Sequence, residues 1–296
     1  MSGSAFALLA AVFFSLNVLA TRRAVVKVSS SFLGVFITVF LAVPFFGLIL
    51  TIMGRLPQAW AFPWQGYLFL AAAGVVHFVI GRSLTFRAVQ LVGGNMSSIL
   101  LRCGPIVAVI WGVSILHETL TWQVACGSLL VILGVGVIAW DPMMAGRRGS
   151  TSARVPMKGV LFGLGGSIFF GTSPLLVKLG LGDSGYPVAA TFISYLAASA
   201  VLGLLLSNRD RRAGLVSMDR HAVLWFCAAG VMVALAQLCR YVALSLSPVS
   251  VVSPLESISP LLVIFLSFLF NRKLETFTIK TILGAAATVA GTIVLY

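Results

Sequence analysis

One stretch of this chain occurs twice, and the repetition dictates most of what the chain can fold into. Phe86–Pro105 lies on Tyr241–Pro260 at a constant offset of 155, with Ala88 on Ala243, Leu91 on Leu246, Ser98 on Ser253 and Leu100 on Leu255. Two residues are then inserted in the second copy. After them Glu118-Thr119 falls on Glu275-Thr276, Thr121 on Thr278, Gly127 on Gly284, Gly134 on Gly291 and Val137 on Val294. Apolar segments share Leu and Ala by chance, but they rarely keep a proline, a glutamate and two glycines in register. The match marks an internal duplication. It extends to the start of each half, where Ala7–Arg22 lies on Gly163–Lys178 and pairs Phe13-Phe14 with Phe169-Phe170.

The solvent for this duplicated unit is lipid. The chain is 59% hydrophobic and only 9% charged, with a mean hydropathy of +1.08. A soluble surface would need about a quarter of its residues charged. The apolar residues gather into ten runs: Ser4–Thr21, Ser31–Met53, Gly66–Thr85, Asn95–Leu116, Trp122–Trp140, Val160–Val177, Pro187–Ser207, Ala222–Leu244, Val249–Phe270 and Ile279–Tyr296. Each is close to the ~20 residues a helix needs to cross a bilayer. No run alternates polar and apolar as a membrane strand would. The expected fold is an all-α integral membrane protein of ten transmembrane helices, arranged as two five-helix repeats over 1–140 and 160–296. The segment 141–159, rich in Gly, Ser and Arg, is the linker. Five is odd, so the second repeat must enter the membrane inverted relative to the first, the plan of many secondary transporters.

The net charge of +13 does not point to nucleic acid, because the basic residues lie in short pieces between apolar runs. Fifteen Lys and Arg fall on one set of loops and two, Arg55 and Lys178, on the other. By the positive-inside rule, both termini face outward and the linker faces the cytoplasm of a cell-membrane protein. No signal peptide is expected. The four cysteines lie inside apolar runs without CxxC spacing, as small packing residues do.

The chain resembles the drug/metabolite transporter superfamily, in its ten-helix EamA branch. The resemblance rests on Phe86-x-Ala88 and Tyr241-x-Ala243, Pro105 and Pro260, Glu118 and Glu275, and Gly127 and Gly284. It covers nearly the whole chain as two tandem domains. It implies a cavity walled largely by the third, fourth, eighth and ninth runs, and movement of small organic solutes, often export. Members usually place both termini in the cytoplasm, and the charge count here argues the reverse.

Ionisable side chains deep in a span cost roughly 2.5–3.5 kcal/mol on insertion scales, so each needs a partner or a purpose. Arg102 lies three residues before Pro105 and Glu256 four before Pro260, one position apart in the repeat register. Arg82 aligns with Gln237, and Arg240 follows Gln237 by about one turn. Arg82, Arg102, Gln237, Arg240 and Glu256 are the candidate substrate-binding residues. The arginines would hold a carboxylate or phosphate, and Glu256 a substrate amine or the coupling proton. A structural Arg102–Glu256 ion pair is the competing use. His77 is a second proton-coupling candidate beside its commoner role as a packing residue. Pro105 and Pro260 each remove a helix hydrogen bond and are the candidate hinges. Glu118 and Glu275 are expected to cap the helices that begin after them, at Trp122 and Ile279. The glycine pairs 127/134 and 284/291, seven apart, suit close helix contact, within the fold or across a homodimer through the fifth and tenth helices.

No P-loop, HExxH or GxSxG is present, and only seven residues are acidic. The chain is therefore not expected to be an enzyme, nor to need a metal or cofactor. The functional expectation is a secondary transporter, an exporter or exchanger of a small metabolite such as an amino acid or other carboxylate-bearing compound. The alternative is a non-transporting membrane scaffold or lipid-handling module. The charge count yields a direct expectation. A cysteine placed in the 141–159 linker of intact cells should resist a membrane-impermeant maleimide, while one beside Met1 should react.

Overall fold

The computed structural model describes residues 2–25, 31–101, 103–139, 156–207, 219–270 and 279–295, and among these the chain forms helices and no strand. In lipid a helix satisfies its own backbone, and these runs are apolar enough to stay there. In the first repeat, α1 is Gly3–Val25, α2 Ser31–Ile52, α3 Trp64–Gly74, α4 Arg82–Leu101, α5 Cys103–Ser114 and α6 Trp122–Ala139. In the second, α7 is Met157–Leu181, α8 Pro187–Leu205, α9 Arg220–Leu246, α10 Val249–Glu256, α11 Ser259–Phe270 and α12 Ile279–Leu295. Among the described residues, six helical stretches are long and apolar enough to cross a membrane: Gly3–Thr21, Phe32–Ile52, Trp64–Val92, Met157–Leu181, Pro187–Leu205 and Arg220–Leu246. Four further apolar helices are shorter: Cys103–Ser114, Trp122–Gly134, Val249–Val263 and Ile282–Leu295.

The repeats differ where the third run passes to the fourth. A break was expected between Thr85 and Asn95. Instead the backbone stays helical from Trp64 to Leu101, through a π-helical turn at Val75–Gly81. The second repeat does break at the corresponding place, between Leu246 and Val249. The cause is one residue: Gly93 aligns with Pro248. A glycine inside a helix costs about 1 kcal/mol, whereas a proline costs ~3 kcal/mol and removes a donor.

Two compact units form, and neither is a repeat. Unit 1 comprises 1–79 with 176–246; unit 2 comprises 80–175 with 247–296. Within unit 1, α1 packs on α9, α2 on α8 and α9, and α3 on α8. The α3–α8 approach is possible only because residue 74 is glycine: a Cβ there would collide with the Ser194 carbonyl. The Ser194 hydroxyl donates to the Leu70 carbonyl across the same contact (2.7 Å). Asn17 reaches from α1 to the Ala229 carbonyl of α9 (2.8 Å).

Within unit 2, α10 packs on α5 and α6, and α6 packs on α12. The last pair joins the fifth run to its own sequence counterpart, the tenth, and the contact is reciprocal. A Cβ on Gly127 would lie 3.1 Å from the Gly291 carbonyl oxygen, and one on Gly291 would lie 2.7 Å from that of Gly127. A Cβ on Gly134 would lie 2.6 Å from the Gly284 carbonyl oxygen. Residue 127 thus meets 291 while 134 meets 284, so the two helices run antiparallel. Equivalent patches exchange places, as a two-fold-like relation between inverted repeats requires. The glycine-bearing faces are occupied by each other within the chain.

This geometry separates neighbouring glycines. Gly134→Ala should lower stability by about 1–3 kcal/mol, because the methyl has no room. A Cβ on Gly136 meets nothing within 4 Å, so Gly136→Ala should be neutral or raise stability by up to ~1 kcal/mol. Thermal unfolding in one detergent reads both.

Candidate functional site

The polar candidates of unit 1 converge on α9. The π-turn widens the helix by one residue per turn at Val75–Gly81 and carries His77, which is buried. Such turns tend to occur at functional positions. His77 Nε2 and Gln237 Nε2 lie 3.0 Å apart, with Gln237 fully enclosed. An amide nitrogen only donates, so this arrangement needs a neutral imidazole accepting at Nε2 with its proton on Nδ1. Arg240 and Tyr241 follow Gln237 by three and four residues on the same helix and are also buried. Aromatic rings wall the neighbourhood: Phe78 meets Tyr195 at 4.4 Å between centroids, and Tyr195 meets Phe46 at 5.6 Å. Burial on this scale puts two nitrogen-rich side chains and an imidazole in a region of low dielectric, where each hydrogen bond counts for more.

The remaining candidates lie in unit 2 or outside the described residues. Arg82 is the first residue of α4, directly after the π-turn, and is half-buried. Glu256 is the last residue of α10, also half-buried, followed by a turn through Ser257 before α11 begins. Arg102 falls outside the described residues, as does Glu275. The structure therefore brings together His77 and Gln237, with Arg240 one turn on.

Pro260 occupies another position than a mid-helix kink. It is the second residue of α11, after the turn that follows Glu256; Pro105 lies in α5, three residues after Arg102, which is outside the described residues. In a first turn the missing N–H has no helical partner to lose, so Pro260 sits at a helix start. The ninth run is accordingly interrupted just ahead of it. The ninth is split into α10 and α11 with Glu256 at the gap.

Glu118 does not cap the helix that follows it. Its carboxylate accepts from the backbone N–H groups of Val249 (2.7 Å) and Ser250 (2.9 Å), the first two residues of α10. Three local features aim it there. His117 adopts φ +53°, turning the chain back after α5. The Glu118 N–H donates to the Gly112 carbonyl (3.0 Å). Gly112 leaves the room, since a Cβ would stand 2.5 Å from the carboxylate oxygen. A negative charge on the exposed N–H groups of a helix start is favourable by charge and by hydrogen bond alike.

Lys178 acts on the preceding helix end. Its Nζ donates to the Leu244 carbonyl (2.7 Å) near the C-terminus of α9. In an unbroken helix that carbonyl would accept from residue 248, which is proline and has no N–H. The ammonium replaces the lost donor and also faces the negative end of the helix. The signal was present in sequence: a proline four residues after a helical carbonyl asks for a donor from elsewhere. Among the described residues, no group of three or more His, Cys, Asp or Glu is placed to hold a metal ion.

The EamA-like transporter family model matches residues 1–140 and again 157–296, once per repeat. No curated protein matches the chain. A solved structure titled only "Crystal structure of protein" superposes with a TM-score of 0.77 at 16% identity, covering 99% of this chain and 95% of that one. At that identity the likeness speaks for the fold.

The two caps give matched expectations. Glu118→Gln and Lys178→Met should each cost about 1–2 kcal/mol of stability. Lys178→Arg, which keeps a donor and the charge, should cost less than Lys178→Met. Melting in a fixed detergent and lipid mixture provides the comparison.

Proposed function

Starting from a chain that belongs to the EamA-like transporter family, we propose that it is a secondary transporter, an exporter or exchanger of a small carboxylate-bearing metabolite such as an amino acid. It is a multi-pass membrane protein, and its family is one of transporters, not enzymes. In the proposed cycle the two inverted repeats give alternating access.

The observation that carries the reading is the buried polar group on α9. His77, Gln237 and Arg240 sit in helices apolar enough to span lipid, where an unsupported polar side chain is costly. A scaffold needing only helix contact has the glycines for that purpose and gains nothing from a buried guanidinium. Arg82, Arg102 and Arg240 are each proposed to hold a carboxylate through forked hydrogen bonds. Gln237 would order its neighbour, and His77 would take or release a proton during the cycle. Glu256 stands at the α10–α11 interruption, the type of place where discontinuous helices bind substrates and ions. It would take the substrate amine or the coupling proton.

Reconstituted vesicles loaded with radiolabelled amino acids and hydroxy acids test this. One solute class should leave protein-containing vesicles faster than empty ones. Arg240→Ala, Arg102→Ala and Glu256→Gln should each reduce that flux by about tenfold or more. Unchanged flux in both Arg102→Ala and Glu256→Gln would remove the assigned site even if transport held.

A further inference from the structure

We propose that the moving joint of this protein is the set of three chain crossings between its compact units, latched by His77, Lys178 and Glu118. The proposal rests on the transporter reading and names its mechanical part. The chain passes between the units at 79/80, 175/176 and 246/247. Each crossing coincides with a place where regular helix hydrogen bonding is interrupted. The first lies inside the π-turn Val75–Gly81. The second follows Pro174, which stands inside α7 and has no N–H to give to the helix ladder. The third precedes Pro248, at the break between α9 and α10. Helices bend at prolines and at π-bulges, and hinges are the few residues that absorb such changes.

The segments beside the crossings are braced. His77, two residues before the first crossing, contacts Gln237 of α9. Lys178, just after the second, holds the Leu244 carbonyl just before the third. On the unit 1 side, α9 therefore ties all three crossings into one frame. On the unit 2 side, Glu118 fixes the first two residues of α10. Bending is left to the short pieces between the braces.

Spin-label distance measurement on the full-length chain in lipid nanodiscs, with no solute added, tests this. With the four native cysteines replaced, labels go on Leu48→Cys in unit 1 and Leu133→Cys in unit 2, whose native side chains are 60% and 56% exposed. Two distance populations are expected. Pro174→Ala and Pro248→Ala each restore a backbone donor and should shift the population ratio by about fivefold or more. Pro44→Ala, in the middle of α2 and away from every crossing, should leave it in place. Lys178→Met, which keeps the backbone intact, should also shift the ratio, and it carries the test should a proline variant fail to fold. A single distribution that neither Pro174→Ala nor Lys178→Met moves overturns the joint, as does an equal shift from Pro44→Ala. Two populations without solute flux keep the joint and overturn the transport reading. Flux with one unmoved distribution does the reverse.

Discussion

A carbonyl without its helical donor, and N–H groups without acceptors, are costly wherever water is scarce. The chain creates both by placing a proline at 248. The answer comes from charge: Lys178 for the carbonyl of Leu244 and Glu118 for the N–H groups of Val249 and Ser250. Two of the chain's few charged side chains are spent on a single backbone break. The rest of the ninth run depends on it, since α10 must start here if Glu256 is to stand at the α10–α11 gap.

The same economy runs through the packing. Glycines allow α6 and α12 to meet backbone to backbone, and Gly74 does the same for α3 and α8. Lipid offers no hydrophobic reason for helices to associate, so close contact and hydrogen bonds must supply it. Two cations cover aromatic rings: the Arg23 guanidinium lies 4.7 Å from the Trp225 ring centroid, and that of Arg87 5.8 Å from Phe162. The reciprocal contact of Gly127 with Gly291 and of Gly134 with Gly284 shows duplication and inversion in one interface.

Much of this was legible in the sequence, for definite reasons. The duplication keeps Pro, Glu and Gly in register, and apolar length reports a bilayer directly. Glycines seven apart reported a close helix face. The reading failed where the answer lay across the chain. Glu118 looked like the cap of the next helix because sequence shows only near neighbours, yet its partners lie 131 and 132 residues away. The expected break after Thr85 did not form, because two glycines weaken a helix where one proline ends it. Pro260 looked like a kink, since sequence does not show that a helix has already stopped ahead of it. His77 gave no signal beyond its presence in an apolar run. Only the π-turn and the contact with Gln237 set it apart.

The account turns on the carboxylate of one repeat holding the start of a helix in the other. Amide hydrogen exchange at Val249 and Ser250 measures this most directly, in the wild type and in Glu118→Gln. Exchange at these two amides should quicken by about tenfold in the variant, with the amides deep in α9 unaffected. Equal protection in both proteins would mean that Glu118 does not hold α10, and the capped break would no longer explain how the ninth span is built.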